Sequence, residues 1–223
     1  MRMVKFFLPM VTAMLLTLVG CMSEVTQAEY TEGKQYTIIN PPVALKAPTG
    51  QNEVSEIFWY GCPHCFSLEP TIKEYLKTKP ANVFFNRVPG TLGETWDYHA
   101  KLYYIGYILD RDGAKGLHDK IFNAAHVQRR PLPRLERGDT VKSDDNLRRF
   151  FESFGYTADE VNKAMSSMEL NSLLSYARDI NTKSGIDSVP SIIVNGKYIT
   201  GPSRMTGSDK LGDVINYLTT LPR

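Results

Sequence analysis

Cysteine is scarce in this 223-residue chain, with Cys21, Cys62 and Cys65 making up the whole supply. Three cysteines cannot build the framework of a small disulfide-stapled protein, and a single C-x-x-C provides only half of a tetrahedral zinc site. Histidine is almost as rare. His99, His118 and His126 could complete such a site only if the fold gathered them, and they read as ordinary helix-surface residues, so no metal is expected. Excess charge is lacking too: 26 Lys and Arg against 24 Asp and Glu leave +2, which gives no footprint for nucleic acid. The one basic stretch, "RRPLPRLER" at Arg129 to Arg137, reads as a solvated, proline-stiffened loop. Neither a fixed-period repeat nor a low-complexity tract is present. What remains is a composition of 42% hydrophobic and 22% charged residues, ordinary for a soluble globular chain.

The N-terminus follows its own logic. Arg2 and Lys5 precede an uncharged apolar stretch, Phe6 to Gly20, shorter than the roughly 20 residues of a membrane-spanning helix. That is the layout of a bacterial export signal. Leu18-Val19-Gly20-Cys21 resembles the lipobox of bacterial lipoproteins, which implies a signal peptide over 1–20 and lipidation at Cys21. Removing residues 1–20 takes away two positive charges and no negative ones, so the formal net charge falls to zero. Residues 21–34 are polar and aperiodic, as a flexible tether to a membrane would be, and Met22 after the lipidated cysteine tilts the expected location towards the outer membrane. Cys62 and Cys65 are then the only thiols of the exported chain, in a compartment that permits disulfides. A bridge between residues three apart closes so small a loop that its stabilising entropy is slight, so a structural staple explains the pair poorly.

Hydrophobic patterning places the pair. "SEIFWY" (Ser55 to Tyr60) reads as a buried strand. "PHCFSLEPTIKEYLKT" carries apolar residues on one helical face, with Pro70 as a possible kink, and "NVFFNRV" (Asn82 to Val88) reads as the next strand, giving a β-α-β unit. From Thr91 to Gly185 the signals are helical, broken by Gly113, Gly138, Gly155 and prolines into four or more helices. "SIIVNGKYIT" (Ser191 to Thr200) then reads as a hairpin turning at Asn195-Gly196, and "DKLGDVINYLTTL" as a closing helix. The expected fold class is α/β.

A thiolate is the nucleophile in disulfide exchange, and an ordinary thiol is mostly protonated at neutral pH. Cys62 stands at the start of the predicted helix, where free N–H groups and the helix dipole favour an anion by about 0.3 to 2 kcal/mol. Pro63 suits the first helical position, and His64 is expected to donate a hydrogen bond or positive charge to the sulfur. One turn on, Cys65 returns to the buried face as the resolving thiol, while Cys62 faces solvent. Stabilising the thiolate stabilises the reduced pair, which makes the disulfide an oxidant.

"IFWYGCPHCFSLEP" and "GIDSVPSIIVNGKYITG", separated by the helical block, resemble the DsbA family of thiol:disulfide oxidoreductases from about Glu53 to the C-terminus. The resemblance implies a thioredoxin-like domain over 35–90 and 186–223 and an inserted helical domain over 91–185. It makes Cys62 and Cys65 catalytic, Pro63 and His64 the dipeptide that tunes them, Pro190 a cis-proline facing the disulfide, and Val189 a backbone partner for an extended substrate. Glu56 occupies the place of a buried proton carrier, yet the lysine that often pairs with it has no clear counterpart, "ANVFFNRV" offering only Arg87. The activity implied is the introduction of disulfides into exported proteins by a monomer that needs no cofactor beyond its own Cys62-Cys65 disulfide. Its partners are reduced, unfolded substrate proteins, a DsbB-like quinone-linked oxidase and, through Cys21, a membrane. Alternatives are a periplasmic reductase or isomerase, and a peptide-binding chaperone without redox turnover. Phe58, Trp59, Tyr60 and Phe66 read as core or as a peptide-binding rim, and Tyr103, Tyr104 and Tyr107 as packing.

Overall fold

A computed structural model describes residues 30–223 of the chain; the export signal, Cys21 and most of the expected tether lie outside the described residues. Five strands form one sheet: β1 (Thr37–Ile38), β2 (Asn52–Phe58), β3 (Val83–Pro89), β4 (Ser191–Val194) and β5 (Tyr198–Thr200), in the order β1-β5-β4-β2-β3. The β2 and β3 strands run parallel, and the other neighbours are antiparallel. Helix α1 (Pro63–Thr78) connects the parallel pair, the crossover that parallel neighbours require.

Alternation along the strands sorts the core into two layers. On one face Val54, Ile192 and Val194 pack with Leu68 and Ile72 of α1 and with Val214 and Leu218 of α7 (Leu211–Thr220). On the other, Ile57, Val88 and Ile193 meet the helices that fill the interval between β3 and β4. Those are α2 (Glu94–Leu109), α3 (Leu117–His126), α4 (Thr140–Glu152), α5 (Ala158–Met165) and α6 (Met168–Ser184). All seven residues of β2 are buried, because it is sandwiched between layers and flanked on both edges. The hydrophobic expectation for "SEIFWY" therefore held in place but not in extent: the strand begins at Asn52 and stops at Phe58.

Several local features differ from the sequence reading or go beyond it. Strand β1 was not expected; its two residues pair with Tyr198 and Ile199, too short a run to show periodicity. The stretch before it is packed down rather than free: the Tyr30 ring lies edge-on to Tyr217 at 5.3 Å, and the Gln35 amide donates to Asp209 at 3.1 Å. Helix α5 carries a capping box, Thr157 and Glu160 satisfying each other's backbone N–H groups, a signal present in "TADE" that the hydrophobic pattern alone did not use. Pro70, expected as a possible kink, sits inside an α1 that runs unbroken from 63 to 78. The hairpin turn is as expected: Asn195 and Gly196 both have positive φ, 52° and 67°, as a two-residue turn of this hand requires.

Candidate active site

Cys62 is the N-cap of α1 and Pro63 its first residue. The tight turn before it is closed by the Cys62 N–H donating to the Trp59 carbonyl at 3.0 Å. Across from the helix N-terminus runs the loop entering β4, whose Val189-Pro190 peptide is cis. The Cys62 Sγ lies 3.6 Å from the Val189 carbonyl oxygen. One turn along α1, Cys65 is fully buried, and burial pushes its thiol well up from the ordinary value. Both cysteines are free thiols. The cavity at this face, about 510 Å³, is bounded by His64 and Ser67 of α1, by Val189 and Pro190, and by Pro202 and Ser203.

Two expectations change here. Cys62 does not stand open to solvent: it is only 8% exposed, because the Val189 loop closes over the turn. His64 is exposed, and among the described residues no hydrogen bond joins it to the sulfur.

Beneath the pair lies a buried charged cluster. The β2–β3 register sets Glu56 opposite Arg87, and the guanidinium Nε donates to Glu56 Oε2 at 3.1 Å while Nη2 reaches both oxygens of Glu69, at 3.3 and 3.5 Å. Arg87, the only basic residue that the sequence reading could offer there and did not accept as a clear counterpart, is thus the partner of Glu56, directly across in the ladder. Burial pushes Glu56 up to about 7 against the lowering pull of Arg87, and among the described residues its Oε1 has no hydrogen-bond partner. Burial also acts upwards on Glu69, but the bond from His118 and the charge of Arg87 outweigh it and hold that carboxyl below its ordinary value. Glu69 was missed although it follows Cys65 by four residues on the apolar face of α1, the spacing that stacks two side chains on one side of a helix.

The three histidines of the helical block, expected on helix surfaces, instead turn inward onto Trp59 and Tyr60. His99 accepts from the Trp59 indole N–H at 2.8 Å with Nδ1 and faces the Pro133 carbonyl at 3.1 Å with Nε2, which fixes a neutral ring with its proton on Nε2. His118 Nε2 lies 3.1 Å from Glu69 and its Nδ1 3.0 Å from the Tyr60 hydroxyl. His126 Nε2 lies 2.8 Å from the Tyr60 carbonyl oxygen, its donor role following from that partner. Periodicity could not show this, because it scores histidine as polar and says nothing about what a polar group finds inside. Among the described residues no group of three His, Cys, Asp or Glu is placed to hold a metal. Phe58 and Tyr60 are core, Trp59 stacks on Trp96 at 4.4 Å, and Phe66 stacks on His126 at 5.0 Å. Tyr103 and Tyr104 are buried and Tyr107 is exposed. In the basic loop Arg130 covers the Phe150 ring and Arg137 pairs with Glu94.

A C-x-x-C at the head of the helix in a β-α-β unit, with its second thiol buried, is the arrangement of a thioredoxin-fold dithiol oxidoreductase. Known proteins narrow the class. No family model matches the chain. The thiol:disulfide interchange protein DsbA of Burkholderia cepacia is 30% identical over 209 residues, 91% of each chain. Among solved structures, a variant of Pseudomonas aeruginosa DsbA is 27% identical with a TM-score of 0.72, over 86% of this chain and 97% of that one. DsbA of Xylella fastidiosa is 27% identical with a TM-score of 0.68, over 86% and 96%. The chain belongs to the DsbA family and is a protein thiol:disulfide oxidoreductase of thioredoxin fold.

Proposed function

We propose that the protein is an exported oxidase that introduces disulfides into reduced, unfolded proteins through Cys62 and Cys65. The observation that carries this reading is the Cys62 sulfur at the α1 N-terminus, 3.6 Å from the Val189 carbonyl, with a fully buried Cys65 behind it. A substrate thiolate attacks the Cys62 Sγ of the Cys62-Cys65 disulfide; a substrate–Cys62 bond forms, the bond to Cys65 breaks, and its electron pair stays on Cys65. Val189 and Pro190 offer backbone for an extended substrate segment, and the helix N-terminus stabilises the Cys62 thiolate that leaves later. Electron balance corrects one expectation. If Cys65 attacked the mixed disulfide, the enzyme disulfide would re-form and the substrate would leave reduced, so the second thiol of the substrate, not Cys65, releases the oxidised product. Two electrons and two protons pass from substrate to enzyme. Pro63 occupies the first helical turn between the thiols, and His64, exposed beside them, meets the substrate rather than the resting sulfur.

Glu56 is the proton carrier of this reading. Cys65 leaves as a thiolate in an apolar site and needs a proton, and a buried carboxyl held at about 7 can supply it. A DsbB-like quinone-linked membrane oxidase removes the electrons afterwards, and no cofactor is needed beyond the redox-active disulfide. The chain works in the periplasm as a monomer, residues 35–90 and 186–223 carrying the thiols and 91–185 forming a helical insertion. Residues 1–20 direct export, and Cys21 takes a lipid that holds the protein at a bacterial membrane, the outer one favoured by Met22.

The test is oxidation of a reduced dithiol peptide in glutathione buffer. Wild type oxidises it and Cys62→Ser does not; retained activity in the variant sinks the reading, and a pair that equilibrates as reducing as thioredoxin, about −270 mV, turns it into a reductase. Cys21→Ser is expected to move the protein from the membrane fraction to the soluble one, and equal retention refutes the anchor.

A further inference from the structure

The buried cluster must return the proton that Glu56 gives to Cys65, and Glu56 has no exposed surface. Its neighbour Arg87 is a poor donor, since a guanidinium does not deprotonate in proteins. Beyond Glu69, which Arg87 and His118 hold as the anion, the chain of contacts reaches His118, which touches Glu69 and Tyr60 and whose side chain is 21% exposed. It lines, with Arg87 and Tyr60, a cavity of about 520 Å³. The groups facing it are Glu69 and Lys73 of α1, Arg87 of β3, Tyr103 of α2 and Tyr60, with Asp119 beside it on α3. Lys73 and Asp119 neutralise each other at 2.7 Å.

Charge counting assigns the role. With Glu56 protonated, the Glu69 anion balances the Arg87 cation and a neutral His118 leaves the cluster uncharged. Once Glu56 has passed its proton to Cys65, two carboxylates face one guanidinium, an uncompensated charge in a low-dielectric site. One proton taken from solvent on His118 restores neutrality.

We propose that His118 is a positioning residue for disulfide exchange, taking up the solvent proton that balances the ionised Glu56 and so setting the pH dependence of Cys65 protonation. This rests on the oxidase reading above. The exchange step stays balanced: the Cys62-Cys65 bond breaks, the substrate–Cys62 bond forms, the Glu56 proton moves to Cys65, and one solvent proton arrives at His118. In the reoxidation half-cycle the same proton leaves.

The test has a thermodynamic arm and a kinetic arm. Imidazole resonances of His118 are titrated by NMR in wild type and Glu56→Gln. Coupling predicts that loss of the Glu56 anion lowers the His118 midpoint by about half a pH unit or more; an unchanged midpoint overturns the proposal, and this arm needs no change at residue 118. Single-turnover reduction of the Cys62-Cys65 disulfide by dithiothreitol is then followed across pH in wild type and His118→Gln, which keeps a donor towards Glu69 and cannot titrate. The variant is expected to lose about tenfold in rate with an altered pH profile. A uniform loss with the wild-type profile marks a merely structural role and refutes the proposal. Failure of wild type to oxidise the reduced peptide would sink the oxidase reading instead, whatever His118 does.

Discussion

Glu56→Gln is expected to stabilise the protein by an amount that grows with pH. The side chain is completely buried, and burial holds its carboxyl at about 7 against an ordinary value of 4.5. A folded-state value above the unfolded one means the native protein binds this proton more tightly than the unfolded chain. The contribution of Glu56 is therefore most favourable below pH 4.5 and is lost as pH rises from there through about 7. At ~1.36 kcal/mol per pKa unit, the gap amounts to about 3 kcal/mol withdrawn from the fold at pH 8. Glutamine cannot ionise, and its carbonyl oxygen still accepts from the Arg87 Nε. Urea unfolding of the oxidised protein is expected to give nearly equal stabilities for variant and wild type at pH 5. At pH 8 the variant should be more stable by about 2 to 3 kcal/mol. Groups that are not coupled to Glu56 cancel in the difference between the two proteins. A difference that stays within ~0.5 kcal/mol from pH 5 to pH 8, less than half a pKa unit, would refute the assignment of Glu56 as a carboxyl destabilised by ionisation.

His99→Leu strands the Trp59 indole N–H and the Pro133 carbonyl and is expected to cost about 2 to 4 kcal/mol, read by urea unfolding, with a changed tryptophan emission; wild-type stability and spectrum together would refute the clamp. In wild type, burial lowers the His99 value, so its contribution is complete above the ordinary imidazole value of 6.5 and is lost as pH falls through the lower folded one. Gly196→Ala places a methyl group against the Val43 carbonyl at a φ of +67°, and a loss of about 1 to 3 kcal/mol is expected in thermal unfolding; an unchanged midpoint would show that the turn tolerates a side chain.

Short-range chemistry made a good part of this protein legible in its sequence. A proline after the first cysteine, a hydrophobic run before it and apolar spacing after it placed Cys62 at a helix N-terminus with Cys65 on its inner face. Asn195-Gly196 marked the hairpin because few other dipeptides accept two positive φ values. Each of these signals acts within a handful of residues, where turn geometry, capping and periodicity operate. Glu56 and Arg87 are 31 residues apart and meet only through the β2–β3 register. His118 reaches Glu69, and His99 reaches Trp59, only because α2 and α3 pack over the sheet. Whether a polar residue at such a position faces water or a buried partner is decided by long-range packing, which sequence spacing does not encode. Hence the chain itself determined where the reactive pair would form, and only the tertiary structure decided which charges and imidazoles lie beneath it.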